Sequence, residues 1–341
     1  MTISQQEALT RLIEHREIFH DEMLHLFRKI MGGEMSPIMI AALTMGLRVK
    51  KESIGEITAA AQVMREFSTK VPMANTKHLI DIVGTGGDGL HTINISTTAA
   101  IVGATCGIKV AKHGNRSVSS KTGSSDLLDK LGIKLDMSPE TARHCLDEAN
   151  ICFLFAPQYH SGMRFAAPVR QALKTRTIFN VLGPLINPAR PTYQLMGVYS
   201  ELLLEPIAET LRELGLQKGM VVYGSGLDEI AIHGETQVAE IHGEHIRYHT
   251  LTPADFGLKY YTLEAIRGGD PDENRKITEK LLAGKGTDAQ QAAIAINLSP
   301  LLVMGGKADD LKQGAELAIE TLRSGDALDK VTQLATLSHK E

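Results

Sequence analysis

The chain is short of several things, and each shortage removes a class of function. Only three cysteines occur among 341 residues, at positions 106, 145 and 152. They are odd in number and form no C-x-x-C pair, so neither a disulfide framework nor a zinc site is indicated, and buried reduced thiols are expected. Long apolar runs are missing too. The mildly apolar stretch from Thr97 to Ile108 is too short and too broken by glycine to span a bilayer. Glu7, Glu14 and Glu17 lie among scattered apolar residues near the start, unlike a secretory leader. Nor is there an excess of positive charge. The net charge of −4 argues against a general nucleic-acid binder, which must neutralise many phosphates. With 43% apolar residues an ordinary core can form, so disorder is excluded. The expectation is a soluble, cytoplasmic protein with neither membrane nor nucleic acid as a partner.

The length suggests about two domains, and the pattern divides accordingly. Residues 1 to about 70 carry helical periodicity only. Met23, Leu24, Leu26, Phe27, Ile30 and Met31 recur at helical spacing before Gly32-Gly33. Ser36-Pro37 opens another helix, and Ser53-Ile54-Gly55-Glu56 is a capping box for a third, running to about Phe67. From Leu79 strands alternate with helices. Strands are predicted at 79–83, 108–111, 151–156, 193–199 and 219–223, which implies a parallel sheet covered on both faces. Residues 237–241 and 246–251, joined across Gly243-Glu244, read as an antiparallel hairpin appended to it. Three helical stretches are predicted after Pro271. The fold class is therefore α/β, a small all-helical domain plus a larger one built on a central, mainly parallel sheet. The proline- and glycine-punctuated stretch from Met163 to Pro191 interrupts the alternation, and it could fold back onto the N-terminal helices.

The chemistry centres on Asp81-Ile82-Val83-Gly84-Thr85-Gly86-Gly87-Asp88-Gly89, a short apolar strand that stops at four glycines in six positions. Such a loop presents bare N–H groups as an anion-binding concavity, so phosphate is the first candidate ligand. His91 to Thr98 follow with short hydroxyl and amide side chains, suited to polar contacts and to capping the helix that Ala99-Ala100-Ile101-Val102 begins. The glycines also satisfy G-x-G-x-x-G, but the next strand ends in Lys112-His113-Gly114-Asn115-Arg116 where a dinucleotide fold needs an acidic residue. That charge suits a second phosphate, and a polyphosphate site is favoured over NAD and over a plain glycine turn. Lys112 to Ser120 place cations, amide and hydroxyl groups at a strand's C-terminal end, where open α/β sheets bind ligands. Asp228-Glu229, just after the strand ending at Tyr223, suits Mg²⁺, a hard cation that bridges substrate phosphates. Alone, such a pair is more often a surface turn.

Together these motifs resemble the anthranilate phosphoribosyltransferase family over essentially the whole chain. Gly84-Thr85-Gly86-Gly87-Asp88, Asn94-Ile95-Ser96-Thr97, Lys112 to Ser120, Leu182 to Pro188 and Gly226-Leu227-Asp228-Glu229 match its signatures in order and spacing. The resemblance implies transfer of the phosphoribosyl group from phosphoribosyl pyrophosphate to anthranilate with release of pyrophosphate, in tryptophan biosynthesis. It implies a nucleoside phosphorylase/phosphoribosyltransferase-like fold, with residues 1–72 joined by about 165–191 as the helical domain. Residues 76–164 and 192–341 then form the α/β domain, and the helices mediate a homodimer.

By the same resemblance, phosphoribosyl pyrophosphate is held by Gly84, Gly87, Asp88, Thr92 and the run Asn94, Ile95, Ser96 and Thr97. The second loop adds Lys112, His113, Gly114, Asn115, Arg116, Ser117, Val118, Ser119 and Ser120, with Ser124 beyond it. Anthranilate is taken by Gly84, His113, Asn115, His160, Arg170 and Gly183, and Mg²⁺ by Ser96, Asp228 and Glu229. Arg170 offers a planar fork for the anthranilate carboxylate. No strong base is evident, so positioning and electrostatics are expected to carry the rate. A pyrimidine nucleoside phosphorylase is the nearest alternative, disfavoured by Asp228-Glu229 and the Arg170 region. A nucleic-acid-binding paralogue would have lost the carboxylates and gained positive charge. Two departures stand out: Ser161-Gly162 where the family commonly has Pro-Ala, and Tyr223 where it often has histidine. The first predicts a looser loop beside His160.

Overall fold

The computed structural model describes residues 2–73, 77–116 and 122–340. The first part is helical: Gln5–Ile13, His20–Gly32, Pro37–Lys50 and Ile54–Glu66. Sequence-local chemistry sets these ends. Ser4, Ser36 and Ser53 each accept a backbone N–H of their helix's first turn, and Gly33, at φ 77°, ends the second helix. Glu56 of the capping box is wholly buried yet satisfied. It accepts Ser53 N at 2.8 Å, Lys50 Nζ at 2.9 Å and Ile18 N at 2.9 Å, which bolts three segments together.

Seven strands form one sheet: β1 (Ile80–Gly84), β2 (Val110–Gly114), β3 (Ile151–Phe155), β4 (Tyr193–Gly197), β5 (Lys218–Tyr223), β6 (Thr236–His242) and β7 (His245–Leu251). Their order is β3-β2-β1-β4-β5-β6-β7, parallel from β3 to β5 and antiparallel for the last two, as the alternation and the hairpin predict. β1 is central and the chain leaves it first to one side, then to the other, which opens a crevice at the strands' C-terminal ends.

The ladders are uneven. β1 pairs with β4 over five residues, from Ile80↔Tyr193 to Gly84↔Gly197, but with β2 only at Ile80↔Val110.

Each face of the sheet has its own apolar core. One is covered by the helices Ile95–Thr105 and Asp288–Met304, with Ile82, Val102, Ile294 and Leu298 inside it. The other joins the N-terminal helices to the sheet through Phe27, Leu43, Met196 and Val221. Residues from Ala166 to Ile186 belong to this second core, and Phe179 packs on Phe27 with ring centroids 5.8 Å apart. The interrupting segment does fold back onto the helical part.

Three sequence expectations change. The β2 strand extends through Gly114 because its ladder to β3 continues to Gly114↔Phe155, so Lys112 and His113 are strand residues rather than loop residues. The helix expected to begin at Ala99 begins at Ile95. After Pro271 there are four helices, Pro271–Leu282, Asp288–Met304, Leu311–Ser324 and Asp326–Ser338. The last two are parted by Gly325 alone, at φ 84°, a break too short to read as a loop.

Candidate active site

At the end of β1 the chain turns through Gly86, Gly87 and Gly89, all at positive φ (67°, 81° and 77°). The turn is tethered on both sides. Thr85 N donates to Gly197 O at 3.0 Å, Tyr199 N donates to Thr85 Oγ1 at 3.0 Å, and Arg176 donates to Gly87 O while stacking on the Tyr199 ring. Asp88 Oδ1 accepts Leu90 N at 3.0 Å.

The helix Ile95–Thr105 then points its N-terminus at this turn. Its N-cap residue, Asn94, does not cap it. The amide is turned away, donating to Thr122 O at 3.3 Å and accepting from Asn274 at 2.8 Å. The N–H groups of Ser96 and Thr97 precede the first intrahelical bonds, so the uncapped helix end adds donors and positive potential beside the glycines. Ile95 and Thr97 are buried, which leaves their main chain rather than their side chains to meet a ligand. Thr92 pairs with Arg267 in an isolated bridge that backs this segment.

Asp228 and Glu229 reach the turn from far along the chain. After β5, Gly224 and Leu227 exchange both main-chain hydrogen bonds, at 3.0 and 3.1 Å, and the turn swings the carboxylates over the ends of β1 and β4. Gly86 N donates to Asp228 Oδ2 at 2.6 Å, and the Ser96 hydroxyl donates to Glu229 Oε1. Asn297, a buried amide in the mostly apolar middle of the helix Asp288–Met304, fixes the next residue. It accepts Ile230 N at 2.7 Å and donates to Ile230 O at 3.1 Å.

Burial, then repulsion from Asp88, pushes Asp228 up to about 7. Burial, then repulsion from Asp228, pushes Glu229 up to about 8. Among the described residues no three His, Cys, Asp or Glu side chains gather as a metal cluster. The two carboxylates and the Ser96 hydroxyl are nevertheless hard oxygen donors short of positive charge, and Mg²⁺ fits that set.

Lys112 lies beneath the turn, only 3% exposed, and donates to Ile82 O at 2.7 Å. Burial lowers its pKa, while Asp81 and Glu229 pull it back up. Next to it, His113 Nδ1 lies 3.2 Å from Gly183 O. A carbonyl only accepts, so Nδ1 carries the proton and the neutral ring leaves Nε2 a bare acceptor. His160 stands edge-on to His113, with centroids 5.2 Å apart. Burial holds His113 well below 6.5 and His160 near 4, so both rings are neutral at pH 7. Neither Nε2 has a partner among the described residues.

Arg170 sits in the helix Ala167–Leu173, half-buried, with its guanidinium 6.0 Å from the Phe179 ring and no ion pair with a described residue. Gly183 caps the short helix Phe179–Leu182. Asn115 O accepts Ser125 N and the Ser124 hydroxyl, each at 3.3 Å, so Asn115 and Ser124 are held together just beyond β2.

Arg116 and the Ser161-Gly162 pair have other surroundings than the sequence suggests. Arg116 forms ion pairs with Asp126 at 3.1 Å and Asp129 at 3.7 Å. Ser161-Gly162 is not loose. It begins a 3₁₀ turn, Ser161–Phe165, and Gly162 is buried with the position of a Cβ 3.0 Å from Met31 O. Gly162 packs on the helix His20–Gly32, whereas Ser161 is exposed, so tertiary packing acts on the second residue of the pair. Tyr223 ends β5 opposite Gln237 and packs into the helical-side core. Ser117, Val118, Ser119 and Ser120 lie outside the described residues.

Sequence reasoning missed Arg176, Gly197 and Asn297. Asn297 alone left a signal, as an amide inside the run Ala292 to Leu302. Gly197 is needed because a Cβ there would fall inside the Asp228 carbonyl group.

This geometry has counterparts. A model described as the glycosyl transferase family, helical bundle domain, matches residues 6–68, and one described as the glycosyl transferase family, a/b domain, matches residues 76–328. The anthranilate phosphoribosyltransferase of Tolumonas auensis is 75% identical over 341 residues, covering 100% of both chains. That of Aeromonas salmonicida is 60% identical over 333 residues, 98% of each. The crystal structure of the Thermus thermophilus anthranilate phosphoribosyltransferase matches with a TM-score of 0.92 and 40% identity, over 98% of this chain and 99% of that one. The Saccharomyces cerevisiae enzyme in complex with PRPP and Mg matches with a TM-score of 0.90 and 28% identity, over 98% and 97%. On a family model that spans most of its length and a relative identical at three positions in four, the chain belongs to the anthranilate phosphoribosyltransferase family.

Proposed function

We propose that this protein transfers the phosphoribosyl group of phosphoribosyl pyrophosphate to the amine of anthranilate, releasing pyrophosphate, as a Mg²⁺-dependent step of tryptophan biosynthesis. The observation that carries the reading is the closure of Asp228-Glu229 over the glycine turn, with Gly86 N on one carboxylate and Ser96 on the other. A diphosphate beside Gly84, Gly87 and Asp88 meets main-chain donors and the uncapped helix end at Asn94 to Thr97. Lys112 adds a buried positive charge from below. Mg²⁺ held by Ser96, Asp228 and Glu229 would neutralise charge developing on the leaving pyrophosphate.

The acceptor side has the opposite character. His113 is neutral and offers Nε2 as an acceptor to an amine, with neutral His160 beside it, while Arg170, half-buried without a carboxylate partner among the described residues, suits the anthranilate carboxylate. Asn115 and Gly183 complete that side. No group here titrates as a strong base, so orientation and electrostatics supply the rate. Thr92, Gly114 and Ser124 support the phosphoribosyl side, and we keep Arg116 there only as a long-range charge, given its pairs with Asp126 and Asp129.

We further infer that two copies associate through the helical unit, residues 1–72 with 165–191. Ile13, Phe19, Ile38 and Val49 support this, being 78%, 60%, 83% and 68% exposed on that unit. Residues 76–164 and 192–341 then form the α/β unit. Three unpaired thiols are consistent with the cytoplasm, and no helix of the described residues is long and apolar enough to cross a membrane. The test is loss of anthranilate fluorescence when phosphoribosyl pyrophosphate and Mg²⁺ are added to purified protein. A steady signal with folded protein would refute the reading.

A further inference from the structure

The weak point of the sheet lies beside the site. Main-chain pairing between β1 and β2 stops at Ile80↔Val110, whereas the neighbouring ladders run on for four more residues. Past that point the two strands share no ladder, and they carry the glycine turn on one side and Lys112 and His113 on the other.

Side chains bridge the gap. Asn187, 1% exposed, donates through Nδ2 to Asp81 Oδ2 at 2.9 Å and to Ala111 O at 2.8 Å. Its Oδ1 accepts Ala189 N at 2.9 Å. Both Nδ2 partners are pure acceptors and the Oδ1 partner is a donor, so the amide has one possible orientation. Asp81 is fully buried, and it faces the backbone N–H groups of His113 and Ile82 as well. The same amide belongs to the segment that bears Gly183, whose carbonyl sets the His113 ring.

We propose that Asp81 and Asn187 are positioning residues, a buried polar strut that replaces the missing β1–β2 ladder. The strut holds the end of β2 at a fixed distance from the glycine turn and ties the Gly183 segment to both strands. This rests on the substrate reading above, in which Lys112 serves the phosphoribosyl group and His113 and Gly183 serve anthranilate. Neither strut residue touches a substrate. Asp81 also sets its charge beside Lys112, and otherwise each acts through the strand it holds, so loosening the strut disturbs both half-sites together.

Two readouts test it, one independent of activity. In Asp81→Ala, amide hydrogen exchange of the peptide covering 110–116 should speed up about ten-fold or more, the worth of a lost buried hydrogen bond. Exchange of 193–197, held by the intact β1–β4 and β4–β5 ladders, should stay as in wild type. The KM values for phosphoribosyl pyrophosphate and anthranilate should rise together, each by about ten-fold. Asp81→Asn can give Asn187 Nδ2 an acceptor only by setting its own NH₂ against the His113 and Ile82 N–H groups, so its exchange over 110–116 should also exceed that of wild type. If Asp81→Ala does not fold, Asn187→Ser, able to keep one of three bonds, is measured in the same way. Unchanged exchange over 110–116 in a folded truncation overturns the proposal, whatever the enzyme proves to transfer. So does a rise in one KM alone, or wild-type exchange over 110–116 in Asp81→Asn. Failure of the substrate reading would show separately, as wild-type protein that leaves anthranilate fluorescence unchanged.

Discussion

Replacing Gly197 by alanine tests the acidic turn without touching a carboxylate. Gly197 is pinned from both sides, paired with Gly84 in β1 and with Val222 in β5, and its carbonyl accepts Thr85 N. The added methyl would fall inside the Asp228 carbonyl, with Asp228 Cα 3.0 Å away. Non-bonded heavy atoms rest about 3.5 Å apart or more, so something must move by about 2 Å. The sheet is held by two ladders and the turn by fewer bonds, so the turn yields. A shift of that size breaks the 2.6 Å bond from Gly86 N and separates Glu229 from Ser96. A charge-assisted bond of this kind contributes about 1.5–3 kcal/mol, and overpacking costs about 1–3 kcal/mol. The variant should therefore lose about 2.5–6 kcal/mol of stability. Metal ligands tolerate displacements of only about 0.2 Å, and a 1 Å error at a reacting centre can cost about a hundred-fold. We expect kcat/KM to fall at least a hundred-fold and the half-saturating Mg²⁺ concentration to rise. The assay is anthranilate fluorescence decay across a Mg²⁺ titration, with circular dichroism and thermal unfolding in parallel. Folded Gly197→Ala with wild-type turnover at limiting Mg²⁺ would refute the reasoning.

Asp228→Ala combined with Glu229→Ala should nearly abolish turnover while leaving the fold intact by circular dichroism, because relief of the repulsion between two buried carboxylates offsets the bonds lost from Gly86 N and Ser96; an unfolded variant would mean their role is structural. The pH dependence follows from their raised values, about 7 and 8. The folded state binds their protons more tightly than the unfolded chain, so metal-free stability should fall as pH rises from about 4.5 through 8. Mg²⁺ must displace those protons, so its half-saturating concentration should fall from pH 6 to pH 9; a flat profile in either titration would count against the shifts. Arg170→Ala should raise the anthranilate KM about ten-fold or more and leave that for phosphoribosyl pyrophosphate nearly unchanged, and an equal rise in both would place Arg170 elsewhere. Gly162→Ala, although alanine is common there in the family, should lower Tm and not improve anthranilate binding, because the new methyl presses on Met31 O; a lower KM with unchanged Tm would restore flexibility as the limiting factor.

Much of this was legible beforehand because the signals are local. Helix ends at Ser36, Ser53 and Gly33 follow from capping chemistry within four residues, and the strands follow from short apolar runs between turn residues. The glycine turn and the carboxylate pair could be named as functional because each is a compact motif. Errors arose where a local signal was outweighed. The polar residues Lys112 and His113 read as loop, but the ladder to β3 carries them on as strand. Asn94 read as part of a cap, yet Asn274, 180 residues away in sequence, holds its amide elsewhere.

What the sequence determined by itself was the inventory: which segments are helix or strand, which turns hold glycine, and which side chains carry charge. Only the tertiary structure decided which of them meet. Gly86 and Asp228 are 142 residues apart, Ser96 and Glu229 are 133 apart, and their contact depends on the register of β4 between β1 and β5. The same register makes Gly197 indispensable, and the early end of the β1–β2 ladder gives Asn187 its place. Arg116, similar in composition to its neighbours, is drawn off by Asp126 and Asp129. Periodicity and turn chemistry act over a few residues of chain, whereas burial, close backbone approach and charge repulsion act through space, after the strands have found their order.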